Sequence, residues 1–285
     1  MNQTWCLSVE LFGQQSELAV GLCIQQGMMG CEELEKGDRT LLRCHFGSRK
    51  DAQNALGLLQ QKLSVSSFDI SAVQQQDWNA KWRESMQPAR LTDSVWVSPV
   101  WLPPPKQDDH LWIKIEPKMA FGTGHHETTR LAARAITELD SLSGARLIDI
   151  GTGSGVLCFV GGLGGAQLSV GVEIDPCCLE NIAENKEANA TGGKTEFIIG
   201  TVDALACERN FDIVVMNMIR THSEPLLERC YRFLRPGGQL IWSGILTEES
   251  EEVIASANQH RFTLHHQSSE NEWWCGVFSP LTSSM

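Results

Sequence analysis

The sequence lacks any Cys-x-x-Cys pair, although its ten cysteines are spread from Cys6 to Cys275. Zinc centres and thiol redox motifs commonly place two cysteines at that spacing, so neither kind of site is indicated and no metal is expected. Scattered thiols with mostly apolar neighbours suit a reducing compartment. A basic segment is also missing before Glu10, which argues against a secretory signal peptide. The expected location is therefore the cytoplasm.

An excess of positive charge is missing as well. The chain has 23 Lys and Arg against 35 Asp and Glu, which gives a formal net charge of −12. Binding to a nucleic-acid backbone needs a broad cationic face, so direct nucleic-acid binding is not expected. The acidity favours either a basic partner or a surface that only keeps the protein soluble.

Long apolar segments that could span a membrane are absent too. The uncharged run Gly151–Val172 contains six glycines between positions 155 and 171, together with Gln167 and Ser169. A spanning helix needs about 20 predominantly apolar residues, so this run is a poor candidate and no membrane association is expected.

The chain has 285 residues, which predicts one large domain or two unequal ones. Strand and helix patterns follow the order β-α-β-β-α-β over residues 1–76, which is typical of a small α+β ferredoxin-like domain. Trp78 and Trp82 are one helical turn apart and indicate a linker helix, placed at residues 77–92. Strands and helices alternate from Asp149 onward, so residues 93–285 are predicted to form an α/β domain with a doubly wound parallel sheet.

The most informative segment is a buried strand that runs into Gly151, Gly153 and Gly155 and then into a helix. Glycine permits a tight turn and a close approach of backbone to a ligand. The free N–H groups of the following helix would point into the same crevice. Glu173 ends the next strand, where a carboxylate is placed to accept the ribose hydroxyls of an adenosine. The segment predicts a nucleoside-binding site.

Two adenosine cofactors compete for this site. The dinucleotide fingerprint Gly-x-Gly-x-x-Gly would need a third glycine at position 156, which is Val156. The spacing fits S-adenosylmethionine better, because its sulfonium and amino groups need no pyrophosphate cradle. A hydride-transferring oxidoreductase is accordingly disfavoured.

Two further segments bear on the site. The segment from Lys118 to Arg130 is a glycine loop that leads into a helix. Its His126-Glu127 pair is not a zinc-protease motif, because that motif needs a second histidine at position 130. The loop either closes over a cofactor, with Thr129 supplying a hydroxyl, or only caps the helix; we favour the cofactor role for Thr129 and a structural role for the histidines. Asn217 follows a buried strand and is the polar group best placed to meet an acceptor.

Taken together, these residues resemble the PrmA family of bacterial methyltransferases that act on ribosomal protein L11, over essentially the whole chain. The signature segments are Met119–Thr129, Asp149–Gly155, Asn217 and Ser243–Leu246. The resemblance implies a class I, Rossmann-like, seven-stranded methyltransferase domain behind a ferredoxin-like substrate-recognition domain. Separately from the resemblance, we expect the protein to be a monomer.

The same resemblance implies a function and a set of site residues. The activity would be S-adenosylmethionine-dependent methylation of lysine ε-amino groups, N-terminal α-amino groups or both in ribosomal protein L11. From the chemistry of methyl transfer, we expect Asn217 to orient the acceptor amine. The resemblance assigns cofactor contacts to Thr129, Gly151, Glu173 and Asn217. The other residues expected to bind the cofactor are Gly153 and Gly155 of the glycine turn and Phe121, Gly122 and Thr123 of the glycine loop. A lysine methyltransferase of another protein, a small-molecule N-methyltransferase on the same scaffold, and a cofactor-binding protein without turnover are the alternatives.

Three features depart from the family pattern. The family usually has Asp where this chain has Glu173, and proline-glycine where it has Pro117-Lys118. Gly161 and Gly162 are expected to interrupt the helix after the glycine turn, at about 1 kcal/mol each relative to alanine. In addition, Met216 and Met218 flank Asn217 in place of smaller or aliphatic residues, which is expected to alter the acceptor pocket.

Overall fold

The computed structural model describes residues 3–74, 83, 86–102, 104, 110–118, 120–139, 142–189, 193–206 and 208–281. The chain divides into two compact units, Met1–Ser85 and Met86–Met285. Of the predicted linker helix (77–92), residues 77–82, 84 and 85 fall outside the described residues. Near its predicted end, however, Ala89–Arg90 form a short strand rather than a helix. The boundaries at residues 76 and 92 stay predictions.

The first unit follows the β-α-β-β-α-β order predicted from the sequence. Its elements are β1 (Gln3–Phe12), α1 (Ser16–Gln25), β2 (Met28–Lys36), β3 (Arg39–Phe46), α2 (Arg49–Lys62) and β4 (Ser67–Gln74). The four strands lie in the order β2-β3-β1-β4, and all neighbours are antiparallel. Alternate strand residues such as Leu7, Val9 and Leu42 are fully buried against the two helices, which gives this unit its own core.

The second unit begins with a small three-stranded sheet and continues with alternating strands and helices. The small sheet contains β5 (Ala89–Arg90), β6 (Val95–Pro99) and β7 (Leu111–Ile115). The helices are α3 (Glu127–Thr137), α4 (Val156–Leu163), α5 (Leu179–Ala188), α6 (Arg220–Ser223), α7 (Leu227–Phe233) and α8 (Ser250–Gln259). The large sheet contains β8 (Arg146–Ile150), β9 (Leu168–Glu173), β10 (Lys194–Ile199), β11 (Phe211–Asn217), β12 (Leu234–Leu246), β13 (Phe262–Glu270) and β14 (Trp273–Pro280).

The large sheet has seven strands in the order β10-β9-β8-β11-β12-β14-β13. Strands β8 to β12 pair in parallel, and the hairpin of β13 and β14 closes the edge antiparallel to β12. The strand order reverses direction beside β8, so a crevice opens where β8 and β11 end. The predicted doubly wound α/β architecture is confirmed.

Strand residues of the large sheet alternate between two cores. Leu147 and Val215 pack with α3 and α4 on one face, whereas Ile148 and Met216 pack with α7 and α8 on the other. Helices therefore cover both faces, and the ends of the strands are left to form a site. Among the described helices, none combines the length and the apolar character that crossing a bilayer requires.

Candidate active site

The glycine turn connects β8 to α4, and its backbone explains the choice of residue. Gly151, Gly153 and Gly155 have φ angles of 74°, 54° and 84°, in the left-handed region that other residues rarely adopt. The turn is fastened to the neighbouring strand, because Gly151 N and Thr152 N both donate to Val172 O, at 2.8 Å and 3.1 Å. The end of β8 is therefore held beside the end of β9.

Neighbouring groups approach these glycines so closely that a side chain would not fit. A Cβ atom at Gly151 would lie 2.4 Å from Met218 Sδ, and one at Gly153 would lie 2.5 Å from Phe121 O. A Cβ atom at Gly155 would meet Phe197 Cζ at 2.7 Å. The turn is thus packed against three other segments of the unit.

The loop before α3 is hydrogen-bonded to the glycine turn. Ser154 N donates to Phe121 O at 2.9 Å, and Ser154 Oγ donates to Gly122 O at 2.8 Å. Gly122 itself has a φ of 101°. The structure thus brings Phe121 and Gly122 to the turn, while the Thr123 Oγ1 atom lies 3.4 Å from His125 Nδ1 instead.

Glu173 reaches the same turn from the end of β9. Its Oε2 atom accepts a hydrogen bond from Gly153 N at 2.9 Å, and its Oε1 atom accepts one from Asp175 N at 3.1 Å. The side chain is only half-buried. Each carboxylate oxygen has a further lone pair, so the carboxylate retains acceptor capacity for hydroxyl groups in the crevice.

Thr129 and Asn217 present buried oxygen atoms near the strand ends. Thr129 is fully buried, and neither its Oγ1 atom nor the buried Asn217 Oδ1 atom has a hydrogen-bond partner among the described residues. Ser243 lies between the two segments. It pairs with Asn217 across β11 and β12, and its Oγ donates to Thr128 O at 3.0 Å.

Asp149, at the end of β8, is the third such group. It is 1% exposed, and its Oδ2 atom accepts from Thr152 Oγ1 at 2.6 Å. Its buried Oδ1 atom has no partner within the described part of the chain. Burial raises the pKa of Asp149 to about 7; the Thr152 hydrogen bond opposes this rise and the nearby Glu173 carboxylate adds to it.

A family model for Ribosomal protein L11 methyltransferase (PrmA) matches residues 22–279 of this chain. The chain belongs to the PrmA family. Membership makes it a methyltransferase and implies a methyl donor of the S-adenosylmethionine type. The resemblance inferred from the sequence is confirmed.

Named relatives agree with the family model. A ribosomal protein L11 methyltransferase of Sorangium cellulosum is 32% identical over 257 residues, covering 86% of this chain and 80% of the relative. One of Pelobacter propionicus is 31% identical over 236 residues, covering 80% and 76%. A crystal structure of ribosomal protein L11 methylase from Lactobacillus delbrueckii subsp. bulgaricus matches with a TM-score of 0.62 at 22% identity, covering 68% of this chain and 99% of that one. This last likeness supports the class I methyltransferase fold.

Two of the expected departures from the PrmA pattern are corrected by the structure. Met216 is fully buried in the core and contacts Cys230 Sγ through its sulfur, so only Met218 lies at the glycine turn. Gly161 and Gly162 do not interrupt the helix, because α4 continues through both. A Cβ atom at Gly161 would lie 3.0 Å from Leu147 Cδ1, so glycine there permits close packing of the helix on the sheet.

The histidines of the PrmA signature loop have structural contacts. His126 caps α3, since its Nδ1 atom accepts from Thr128 N at 3.3 Å, and its ring lies edge-on between the rings of Phe121 and Trp273. His125 Nε2 lies 2.9 Å from Gln87 O. In the described residues, no group of three or more His, Cys, Asp or Glu side chains is arranged to hold a metal ion.

Two residues that support the site from a distance were not among the predicted site residues. Asn185 on α5 donates to Ser154 O at 2.9 Å and accepts from Glu116 N at 2.8 Å, so it links the turn to the segment after β7. Ser243 was noticed only as part of a signature segment. Asn185 had one local signal: a polar residue three positions after apolar Ile182, on the buried face of its helix.

Proposed function

We propose that this protein transfers methyl groups from S-adenosylmethionine to amino groups of ribosomal protein L11. The acceptors would be lysine ε-amino groups, N-terminal α-amino groups or both. Family membership over residues 22–279 and the names of the relatives support this substrate. We further propose that the protein acts as a monomer in the cytoplasm and that its ferredoxin-like unit recognises the substrate protein.

One observation favours a bound cofactor at the glycine turn. Three buried oxygens at the strand ends and in the first turn of α3 have no partner among the described residues: Asp149 Oδ1, Asn217 Oδ1 and Thr129 Oγ1. Buried polar atoms in folded proteins nearly always have partners. A ligand with hydroxyl and ammonium groups would supply the missing donors, which fits S-adenosylmethionine.

Different residues of the site would bind different portions of the cofactor. Glu173 would accept the ribose hydroxyls, since its carboxylate already lies at the turn through Gly153 N. Asp149 would face the positively charged methionine portion, because a carboxylate is stabilised by a nearby cation. The Thr129 hydroxyl would accept or donate a hydrogen bond at the methionine portion of the cofactor. The loop that contains Phe121, Gly122 and Thr123 would border the crevice.

When bound, the cofactor supplies a methyl group on a sulfonium, which is already a good leaving group. The chain must then mainly align the acceptor lone pair with the methyl carbon and exclude water. The acceptor must be neutral, and deprotonating a lysine of pKa near 10.4 at pH 7 costs about 4.6 kcal/mol, against about 1.4 kcal/mol for an α-amino group near 8. We assign to Asn217 Oδ1 the role of accepting an amine N–H and orienting the lone pair.

The decisive experiment uses ribosomal protein L11 from a strain that lacks its own methyltransferase. The purified full chain and S-adenosylmethionine should increase the mass of this L11 by whole methyl groups, and peptide mapping should place them on amino groups. Methylation of a different protein in an extract from that strain, with L11 unchanged, would support the alternative lysine methyltransferase. Label appearing only on small molecules would support a small-molecule enzyme. Cofactor binding without any transfer would support a protein that binds the cofactor without turnover.

A further inference from the structure

Three thiols meet inside the ferredoxin-like unit, which contains none of the residues assigned to methyl transfer. Cys23 lies on α1, Cys31 on β2 and Cys44 on β3, and all are free. The Sγ atoms of Cys31 and Cys44 are 3.5 Å apart. Cys23 and Cys44 are fully buried, whereas Cys31 is half-buried.

The strand register fixes the geometry of one pair. Cys31 and Cys44 are direct partners in the antiparallel ladder of β2 and β3. Such partners share a face of the sheet and have Cα atoms about 4.5 to 5.5 Å apart. Disulfides span Cα distances of about 4.4 to 6.8 Å, so these two sulfurs can bond without a change in the strands.

We propose that Cys31 and Cys44 form a reversible cross-strand disulfide when the protein meets hydrogen peroxide. The Cys31 thiolate attacks one peroxide oxygen, the O–O bond breaks, and the departing oxygen takes a proton to leave as water. Cys31 is then a sulfenic acid. The Cys44 thiol gives up its proton and attacks the Cys31 sulfur, the S–O bond breaks, and a second water leaves. The two thiols lose two electrons and the peroxide gains them.

The two thiols differ in solvent exposure, and this difference determines which of them reacts first. Cys31 is partly exposed, so it meets the oxidant first, and the fully buried Cys44 resolves the sulfenic acid from the neighbouring strand. Burial raises the pKa of the Cys31 thiol; the hydrogen bond with Cys44 opposes this rise and the Glu33 carboxylate adds to it. The thiolate fraction of Cys31 is therefore small near neutral pH, so the pair oxidises slowly unless peroxide accumulates.

The test treats the full chain with hydrogen peroxide, alkylates the remaining thiols in denaturant and maps peptides by mass spectrometry. We expect a peptide pair that joins Cys31 to Cys44, a loss of two hydrogens, and reversal by dithiothreitol. The melting temperature should rise on oxidation, because the bond closes a loop between residues 13 positions apart. Cys31→Ser should abolish both the cross-link and the shift, whereas the matched variant Cys177→Ser, at an exposed cysteine, should keep both.

Two results would overturn the proposal. One is a cross-link from Cys44 to Cys23 in place of Cys31. The other is full alkylation of Cys31 and Cys44 after peroxide has oxidised the exposed Cys177. If Cys31→Ser does not fold, Cys31→Ala gives the same comparison, and peptide mapping of the unmodified chain decides the question without any variant.

Discussion

Ser243 Oγ donates a hydrogen bond to Thr128 O at 3.0 Å, which ties β12 to the first turn of α3. The same residue accepts a hydrogen bond from Met218 N at 3.2 Å through its backbone oxygen. Gly244, next along the chain, has a φ of 83°, and a Cβ atom there would lie 2.7 Å from Met218 backbone atoms. The pairing of β12 with β14 has a bulge between Ser243 and Ile245. This bulge positions Thr129, which follows Thr128, and Asn217, which precedes Met218.

Removal of the Ser243 hydroxyl should loosen both segments. We expect Ser243→Ala to fold, with a loss of about 1 kcal/mol in stability from one hydrogen bond. Displacement of Thr129 and Asn217 should lower kcat/KM by about tenfold or more. Denaturant unfolding and methylation kinetics measure the two effects. Ser250→Ala is the matched control, because it removes an exposed hydroxyl-to-carbonyl bond, at 2.7 Å to Thr247 O, and should leave kinetics unchanged.

Gly153 should be intolerant of a side chain because backbone lies against it. Gly153→Ala combines a left-handed φ with a Cβ atom 2.5 Å from Phe121 O, so the loop at Phe121 must shift. Gly237→Ala has a similar φ of 79° but open space around the Cβ position, and costs about 1 kcal/mol for the backbone alone. We expect the first variant to lose more stability and to bind cofactor poorly, as calorimetry would measure. Equal cofactor affinities in the two variants would contradict the assigned role of the turn.

Glu173 should contribute to cofactor binding through the charge of its carboxylate as well as through the hydrogen bonds that the carboxylate accepts from backbone N–H groups. We expect Glu173→Ala to weaken cofactor binding by about 10- to 100-fold, since hydrogen bonds to a charged group contribute about 1.5 to 3 kcal/mol. Glu173→Gln keeps an acceptor for Gly153 N. A similar loss of cofactor affinity in this variant would therefore come from the missing charge. Glu187→Ala, at an exposed position of α5, is the control and should bind normally. Full-strength binding by Glu173→Ala would remove Glu173 from the site.

Much of the architecture was predictable because its signals are local. Each of these signals depends on a few neighbouring positions. They are the strand alternation at Leu7 and Val9, the glycines at positions 151, 153 and 155, and the acidic residue that ends β9. Strand alternation also places Met216 on the opposite face from Asn217, since successive strand residues face opposite sides. Met216 and Met218 were both expected to alter the acceptor pocket because they flank Asn217, but Met216 is buried in the core and only Met218 lies at the glycine turn.

The supporting contacts of the site could not be predicted in this way. Ser243 and Thr128 are separated by 115 positions, and no local pattern pairs a hydroxyl with one particular distant carbonyl. The glycines in α4 were expected to break the helix on intrinsic propensity. Packing against Leu147 instead requires a small residue at Gly161, so tertiary context outweighed propensity.

Asn217 should affect turnover more than binding. We expect Asn217→Ala to bind the cofactor more weakly yet measurably, because Glu173 and the glycine turn remain. Methyl transfer should fall by at least about 100-fold, because the acceptor lone pair loses its orientation. Single-turnover methylation separates transfer from cofactor binding. Asn258→Ala, on an exposed position of α8, is the control. Unchanged methylation kinetics in Asn217→Ala would refute the role.

Asp149 should make the stability of the free protein depend on pH. Its pKa is about 7 in the folded protein and near 3.9 in an unfolded chain. Between these values the folded state holds a proton that the unfolded state has lost, so the free energy of unfolding decreases as pH rises from about 4 to about 7. Asp149→Asn keeps an acceptor for Thr152 Oγ1 and removes this contribution. Denaturant unfolding of both proteins at several pH values should give a smaller decrease for the variant.

Cofactor binding should show the opposite trend with pH. A cation bound beside Asp149 favours the ionised carboxylate, so S-adenosylmethionine should bind more tightly to the unmodified protein as pH rises through about 7. In Asp149→Asn the corresponding slope should be absent. S-adenosylhomocysteine lacks the sulfonium charge, so its slope should be smaller in the unmodified protein. Calorimetry at pH 6 and pH 8 with both compounds measures these slopes, and the same slope in Asp149→Asn as in the unmodified chain would place the cation elsewhere.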